Sequence, residues 1–528
     1  MTNLSLPRVA CMALGALAVL MPVFGGAIQT PAVNQPAGGP SADGLGLLRH
    51  APGAYKGYTL ISPERATASY LVDMEGRLIK SWETGLTAGA YGLLLENGHL
   101  LRAGAIENSP YGGFVAGGGG RIQEYDWDGN LIWDYTLATE SIIPHHDFVR
   151  LPNGNVILVV QEKKTAAEAA AAGRAQGIEL HPDALLEIKP TGKTTGEVVW
   201  EWHLWDHLIQ DRDASKANYG EVAAHPELMD FNFGVGAGRG NADWAHQNAV
   251  AYNAELDQLM LSMRSFSEVF IVDHSTTTKE AAGHTGGRSG KGGDILYRWG
   301  NPQTYRRGAA EDQRSFGQHN VQWIARGLPG AGHLLLFNNG DTRPGQKYST
   351  VDEVVLPGNA KGEYTLEPGK KYGPDQPVWT YMAPNPTDFY SSYISGTQRL
   401  PNGNTLICAG AIGMVFEVTP DKQVVWQYNF PSFGQPGGFG GPGGGPGGAR
   451  GGRGAGGFGA RGPAQARGGG PPRGGAPGGG AAPARGTPGP TNTYAIFRAY
   501  RYGPDFPGFA GKTLTPGKPI EEVAAESR

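Results

Sequence analysis

An Asn-Gly turn between two apolar runs returns three times in this chain. It stands in Leu95-Glu-Asn-Gly-His-Leu-Leu101, in Arg150-Leu-Pro-Asn-Gly-Asn-Val-Ile-Leu-Val-Val160 and in Arg399-Leu-Pro-Asn-Gly-Asn-Thr-Leu-Ile-Cys408. Asn and Gly accept the positive φ of a tight hairpin turn, so each copy predicts two antiparallel strands. A second hairpin follows each first one, over Ile122–Trp133, over Leu185–Lys189 with Val198–Trp200, and over Val415–Trp426. The repeating unit is therefore four antiparallel strands whose last ends in an aromatic. Six units can be drawn, with first strands beginning near Ala90, His145, His246, His319, Ser395 and Tyr494. The sixth is out of place. Residues 58–83 hold three strands and no first strand, while Thr493–Tyr500 is a lone strand at the other end. Joining the two predicts an all-β, six-bladed β-propeller with four-stranded blades, its first blade closed by the C-terminal strand. Such closure leaves no open sheet edge. A stack of two sheets would not need strands grouped so regularly in fours.

Outside the repeat, the chain divides by composition. Arg8 precedes an apolar run from Val9 to about Phe24, and Gly25-Gly26-Ala27 follow, which predicts a signal peptide over 1–27. The run is short for a membrane span of roughly 20 residues; an uncleaved anchor helix is the alternative. Residues 28–54 read as an N-terminal tether, 55–433 as the propeller, 491–508 as its closing strand and 509–528 as a tail. Residues 434–490 form a Gly/Pro/Ala tract with six arginines and no acid, a composition expected to stay disordered. Ala166–Gly173 is alanine-rich and predicts a short helix, and Ser275–Gly293 reads as a polar, glycine-rich loop. With Cys11 inside the signal, Cys408 is the single mature cysteine and no internal disulfide is available. A net charge of −4 implies neither a nucleic acid nor a membrane surface as partner. The expected location is periplasmic or secreted, with no integral membrane segment after cleavage.

In a propeller the first strand of each blade lines the channel, and the second returns to the mouth where the first began. Residues at these positions therefore converge. Blade 3 begins with His145-His146-Asp147, blade 4 with His246-Gln247-Asn248 and blade 5 with Gln318-His319-Asn320. Second strands end in Arg264, in Asn338-Asn339 and in Arg102. Of thirteen histidines, four fall at equivalent strand starts in three consecutive blades. Three imidazoles can bind zinc or copper, but a guanidinium beside the ion would be repelled. Arginine instead offers a bidentate fork to a tetrahedral anion, and neutral imidazoles can attack or carry a proton. No Ser/His/Asp nucleophile motif, phosphate loop or haem-binding Cys pair is present.

Three segments carry a family likeness: Pro144-His-His-Asp-Phe-Val-Arg-Leu-Pro-Asn-Gly-Asn155, Asp243-Trp-Ala-His-Gln-Asn248 leading to Ser262-Met-Arg264, and Gln318-His-Asn320 leading to Leu336-Phe-Asn-Asn-Gly340. In their order they resemble the bacterial arylsulfate sulfotransferases, exported six-bladed propellers. The resemblance implies ping-pong transfer of a sulfuryl group from a phenolic sulfate ester to a phenolic acceptor. It would run through a sulfohistidine, without soluble sulfonucleotide, cofactor or metal. It implies His319 as nucleophile, Arg264 and His246 as holders of the sulfuryl oxygens, and His146 as a proton shuttle beside them. His145, Asn248 and Asn339 are the expected substrate contacts. The match leaves open which of His145 and His146 faces the channel, because aligning blade 3 to blade 5 selects His146 and aligning it to blade 4 selects His145. The mature chain lacks the cysteine pair of some family members and is short for their separate N-terminal β domain. Two other classes stay in view. A quinone-dependent propeller dehydrogenase would be expected to bring calcium-binding carboxylates, and a non-catalytic propeller would only bind.

Overall fold

The computed structural model describes residues 44–526 apart from 65, 113–114, 235–241 and 434–494. The readings of 1–27 as a signal peptide, of 28–43 as tether and of 434–490 as a tract lie outside the described residues. Six antiparallel four-stranded sheets form the ring. Blade 1 is ordered Ile496–Tyr502, Tyr58–Pro63, Ala68–Val72, Leu78–Glu83, so the C-terminal strand is its innermost one. Leu60 pairs with Tyr500 and Ile61 with Ala499, which closes the propeller as the orphan strand predicted. The described strand begins at Ile496 rather than near Tyr494.

Blades 2 to 5 are each continuous in sequence. Their first strands are Ala88–Leu94, Ile142–Arg150, Gln247–Asn253 and His319–Trp323. Blade 6 starts at Gly396–Arg399 and gains a fifth, outer strand, Gly46–His50, antiparallel to Val424–Asn429. That strand falls inside the stretch read as tether, whose five residues carry too little pattern to announce it. The tail also packs. A helix over Ile520–Glu526 buries Ile520 and Ala524 in the apolar cluster of blades 1 and 6. A helix over Ala166–Ala171 meets the alanine-rich prediction, capped by Thr165 and Glu168 in a reciprocal box.

The aromatic that ends each unit has a physical task. Trp82, Trp133, Trp200, Trp299, Trp379 and Trp426 all sit on fourth strands. Five indole N–H groups donate to a backbone carbonyl in the next blade: Asp126, Thr195, Pro374, Pro420 and, across the closure, Met74. The sixth, from Trp200, reaches the Thr276 hydroxyl at 3.2 Å. Glutamates on third strands lock the neighbours further. Glu124, Glu353 and Glu417 accept from Arg150, Arg399 and Arg501, arginines on the first strand of the following blade. The residue after an Asn-Gly turn holds a third-strand carboxylate from within the blade, as His99 does for Glu124, Asn155 for Glu187 and Asn404 for Glu417. The repeated Arg-Leu-Pro-Asn-Gly-Asn motif is thus a hairpin and an interblade clamp together.

Candidate functional site

The first strands of blades 3, 4 and 5 break register at one end. Between Pro144 and Phe148 blade 3 spends four steps against two on its second strand. Blades 4 and 5 have matching irregularities at Gln247–Ala249 and His319–Gln322. Bulges re-aim side chains and bend the strand. Here they coincide with left-handed backbone at His146 (φ 53°), His246 (φ 54°) and Asn320 (φ 49°). Non-glycine residues in this region cost of order 1–3 kcal/mol and recur at functional sites. Gly117, opposite, must lack a side chain, because a Cβ there would stand 2.6 Å from the His146 ring.

The imidazoles so placed meet. The rings of His146 and His246 lie 4.7 Å apart, edge to face, and Phe497 of the closing strand lies 5.9 Å from His146 and 6.4 Å from His319. His146 is held well below the ordinary imidazole range, first by burial and then by His246, His145, His319 and Arg264. His319 is lowered likewise, by burial first and Arg264 second, against a smaller opposing pull from Asn339. Both rings are therefore neutral at working pH. Arg264 begins a 3-10 turn after the second strand of blade 4, its backbone N–H bonded to the His246 carbonyl at 3.2 Å. Its guanidinium rests on Asp341 at 2.5 Å, and His246 Nδ1 rests 2.6 Å from Asp243.

Hydrogen bonds and one ion-pair contact set which nitrogen of each ring is free. The Asn339 amide nitrogen donates to the carbonyls of Ser391 at 2.8 Å and Ile394 at 3.0 Å. Its oxygen must then face His319 Nδ1, 2.7 Å away, so Nδ1 carries the hydrogen and Nε2 the lone pair. A second chain ends at His146. Asp183 Oδ1 lies 3.0 Å from His145 Nε2 as an ion-pair contact, and neither atom has a hydrogen-bond partner. His145 Nδ1 lies 2.6 Å from His146 Nδ1. With His145 Nε2–H turned to the carboxylate, His145 Nδ1 accepts from His146 Nδ1–H. The lone pair of His146 then sits on Nε2.

The structure thus gathers His146, His246, His319 and Arg264, and of the two adjacent histidines it is His146 whose ring meets His246 and, like His319, Phe497. His145 sits behind His146. Two of the expected substrate contacts have partners inside the protein. Asn339 is fully used in orienting His319, and the Asn248 amide nitrogen holds the Gln318 carbonyl at 2.8 Å. Arg102 stands elsewhere, buried and bonded to Thr84 and the Leu86 carbonyl. Asp147 is no ligand at the mouth. It accepts from Arg498, Tyr91 and the backbone N–H groups of Phe148 and Val250. Asp183, Asp243, Asp341 and Arg498 escaped the sequence reading. Only Asp243 had a signal, standing inside the Asp-Trp-Ala-His-Gln-Asn segment at three residues from His246.

Fold and site together define a β-propeller with a histidine–arginine centre at one end of its channel. The chain belongs to the arylsulfotransferase (ASST) family, which matches residues 44–431. It is similar to the arylsulfate sulfotransferase AssT of Lelliottia amnigena, 27% identical over 349 residues, or 61% of this chain and 54% of that protein. It is similar to the protein of the same name from Escherichia coli O6:H1 (strain CFT073), 27% identical over 353 residues with the same shares. The chain spans about half the length of these curated relatives. A crystal structure of a Bacteroides caccae protein of unknown function aligns at 13% identity, over 71% of this chain and 94% of that one. Its TM-score is 0.40.

Proposed function

We propose that this chain moves a sulfuryl group from a phenolic sulfate ester to a phenolic acceptor, with His319 carrying the group between them. The observation that carries the reading is the Asn339–His319 hydrogen bond, which leaves a neutral imidazole with its lone pair on Nε2. In the first half-reaction that lone pair forms a bond to sulfur while the sulfur–phenol oxygen bond breaks. Charge grows on the leaving oxygen and the sulfuryl oxygens. Arg264 and His246 hold the latter, exchanging Asp341 and Asp243 for the anion. In the second half the acceptor phenol gives its proton to His146 Nε2 and attacks sulfur, and the nitrogen–sulfur bond breaks.

The family supports group transfer at this centre, and the relatives' name supports an aryl sulfate as donor. Phe497, beside both His146 and His319, offers an apolar face to an aromatic substrate. The test is a single turnover with a chromogenic aryl sulfate and no acceptor. One phenol per chain should be released in a burst, and a sulfuryl adduct should map to the peptide containing His319. An adduct on another residue, or steady hydrolysis with no burst, would overturn the reading.

A further inference from the structure

Blade 3 ends in a 3-10 turn over Leu204–His207, and the insertion between the third and fourth strands of blade 4 folds back on it. Three side chains meet there. His207 Nδ1 lies 2.9 Å from Asp294 Oδ1, and His284 Nδ1 lies 2.8 Å from the same oxygen. The three donor atoms all fall within 4.8 Å of one another. His207 is wholly buried, stacked on Trp202 with ring centroids 5.6 Å apart and planes 9° apart. The Trp202 indole donates to the Gly293 carbonyl at 2.8 Å, which ties the end of the insertion to the same ring stack. Gly293 can only be glycine, since a Cβ would stand 2.7 Å from His207 Nε2.

The orientation of His207 makes this cluster more than a hydrogen-bond network. Its Nε2 faces the Ala281 carbonyl at 2.9 Å and must carry a hydrogen. A neutral ring then turns the Nδ1 lone pair toward a carboxylate oxygen. In that tautomer the Nδ1 lone pair and the Asp294 oxygen converge on one point, as two ligands of a cation do. A histidine whose far N–H is spent on a backbone carbonyl is the usual companion arrangement of a metal ligand. The second imidazole, converging on the same carboxylate oxygen, favours the cation.

We propose that His207, His284 and Asp294 bind one divalent transition-metal ion of the zinc class. Two imidazoles and a carboxylate suit zinc, with water in the fourth position, because His284 is largely exposed. At zinc bond lengths of about 2.0–2.1 Å, tetrahedral donors stand roughly 3.3 Å apart. The present pairs must open by a few tenths of an ångström, which the exposed His284 can supply for its own pair and a small rotation of the Asp294 carboxylate for the buried His207. The ion would pin the 275–293 insertion of blade 4 to the end of blade 3. It shares no residue with the histidine–arginine centre.

The experiment uses the full chain. Stripped with chelator, exposed to zinc and separated from free metal, wild type should retain one zinc per chain and melt at a higher temperature than the stripped form. His284→Ala should lose that equivalent while keeping its fold, since the side chain lies at the surface. His284→Cys should restore it, because thiolate is a zinc ligand, and cobalt in that variant should give an intense tetrahedral visible spectrum. No retained zinc in wild type, or equal retention in His284→Ala, would overturn the proposal. In the second case the metal sits elsewhere, the channel histidines included.

Discussion

Arg498 and Asp147 pair through two hydrogen bonds, 3.0 and 2.7 Å long, that run from the closing strand of blade 1 to the first strand of blade 3. Blade 2 lies between them, so the pair joins two blades that are not neighbours. Tyr91 of blade 2 donates to the same carboxylate at 2.6 Å, and the Val250 N–H of blade 4 at 2.9 Å. Four blades thus converge on one buried anion beside the histidines. The field of Arg498 also helps keep His319 neutral. The strand that completes the ring therefore also supplies the floor of the site.

Removing one partner of this pair leaves the other charged and buried. Arg498→Met should lower unfolding stability by about 3–5 kcal/mol, the cost of an uncompensated buried charge. Asp147→Asn added to it should recover part of the loss, because the two positions are coupled. Denaturant midpoints at fixed slope measure both. Strictly additive losses would mean that the pair contributes little beyond packing.

The fold was largely legible, and for a physical reason. Asn-Gly turns and terminal tryptophans have fixed spacing because each blade repeats the same contact with its neighbour. The meeting of His146, His246, His319 and Arg264 was legible too, since topology brings first-strand starts and second-strand ends to one mouth. The acids behind them were not. Asp183 opens a third strand and Asp341 follows a second strand by three residues, positions that the repeat does not mark. Asn339 was named from the sequence as a substrate contact, and only the partners of its amide nitrogen reveal that it orients His319.

The chain Asp183–His145–His146 predicts a proton-transfer defect without loss of the nucleophile. His145→Gln keeps bulk and a polar tip but cannot relay through a ring. The adduct on His319 should still form with a donor whose phenol leaves easily. Transfer to a poorly acidic acceptor phenol should slow by about 10²–10⁴-fold, the usual worth of a general base. The pH–rate profile of that second half-reaction should change and that of the first should not. Equal slowing of both would assign His145 a merely structural role.

Stability should fall in mild acid because of the same buried rings. His146 and His319 titrate below the ordinary value of 6.5 in the folded chain. Above pH about 6.5 both states hold them neutral, and their contribution is complete. As pH drops, the unfolded chain takes up protons that the folded chain refuses. Each ring then costs about 1.4 kcal/mol per pH unit until its folded value is reached. His203, pushed up to about 9, works in the opposite sense: desolvation lowers its value, but the combined pull of Glu162 and Glu201 outweighs it. Its contribution is complete below 6.5 and fades as pH rises toward 9. Denaturation of His146→Asn and His319→Asn between pH about 5 and 7 should give shallower slopes than wild type. Unchanged slopes would place the acid sensitivity elsewhere.

The sharpest expectations concern the transfer step itself. His319→Ala removes the only atom proposed to bond sulfur, so phenol release should vanish even in a single turnover. Arg264 acts differently. Its guanidinium stays charged at every working pH, and its fork can hold two sulfuryl oxygens as charge grows on them. Losing one charge-stabilising group of this kind slows reactions by about 10²–10³-fold. Arg264→Ala should fall by that factor in turnover, and Arg264→Lys should recover only part, because an ammonium cannot grip bidentately. The leaving group decides between this role and simple binding. If Arg264 stabilises developing charge, its loss should hurt poor leaving groups more than good ones, steepening the dependence of rate on phenol acidity. If it only binds the donor, all donors should suffer alike through KM, and the assignment of Arg264 to the transition state fails.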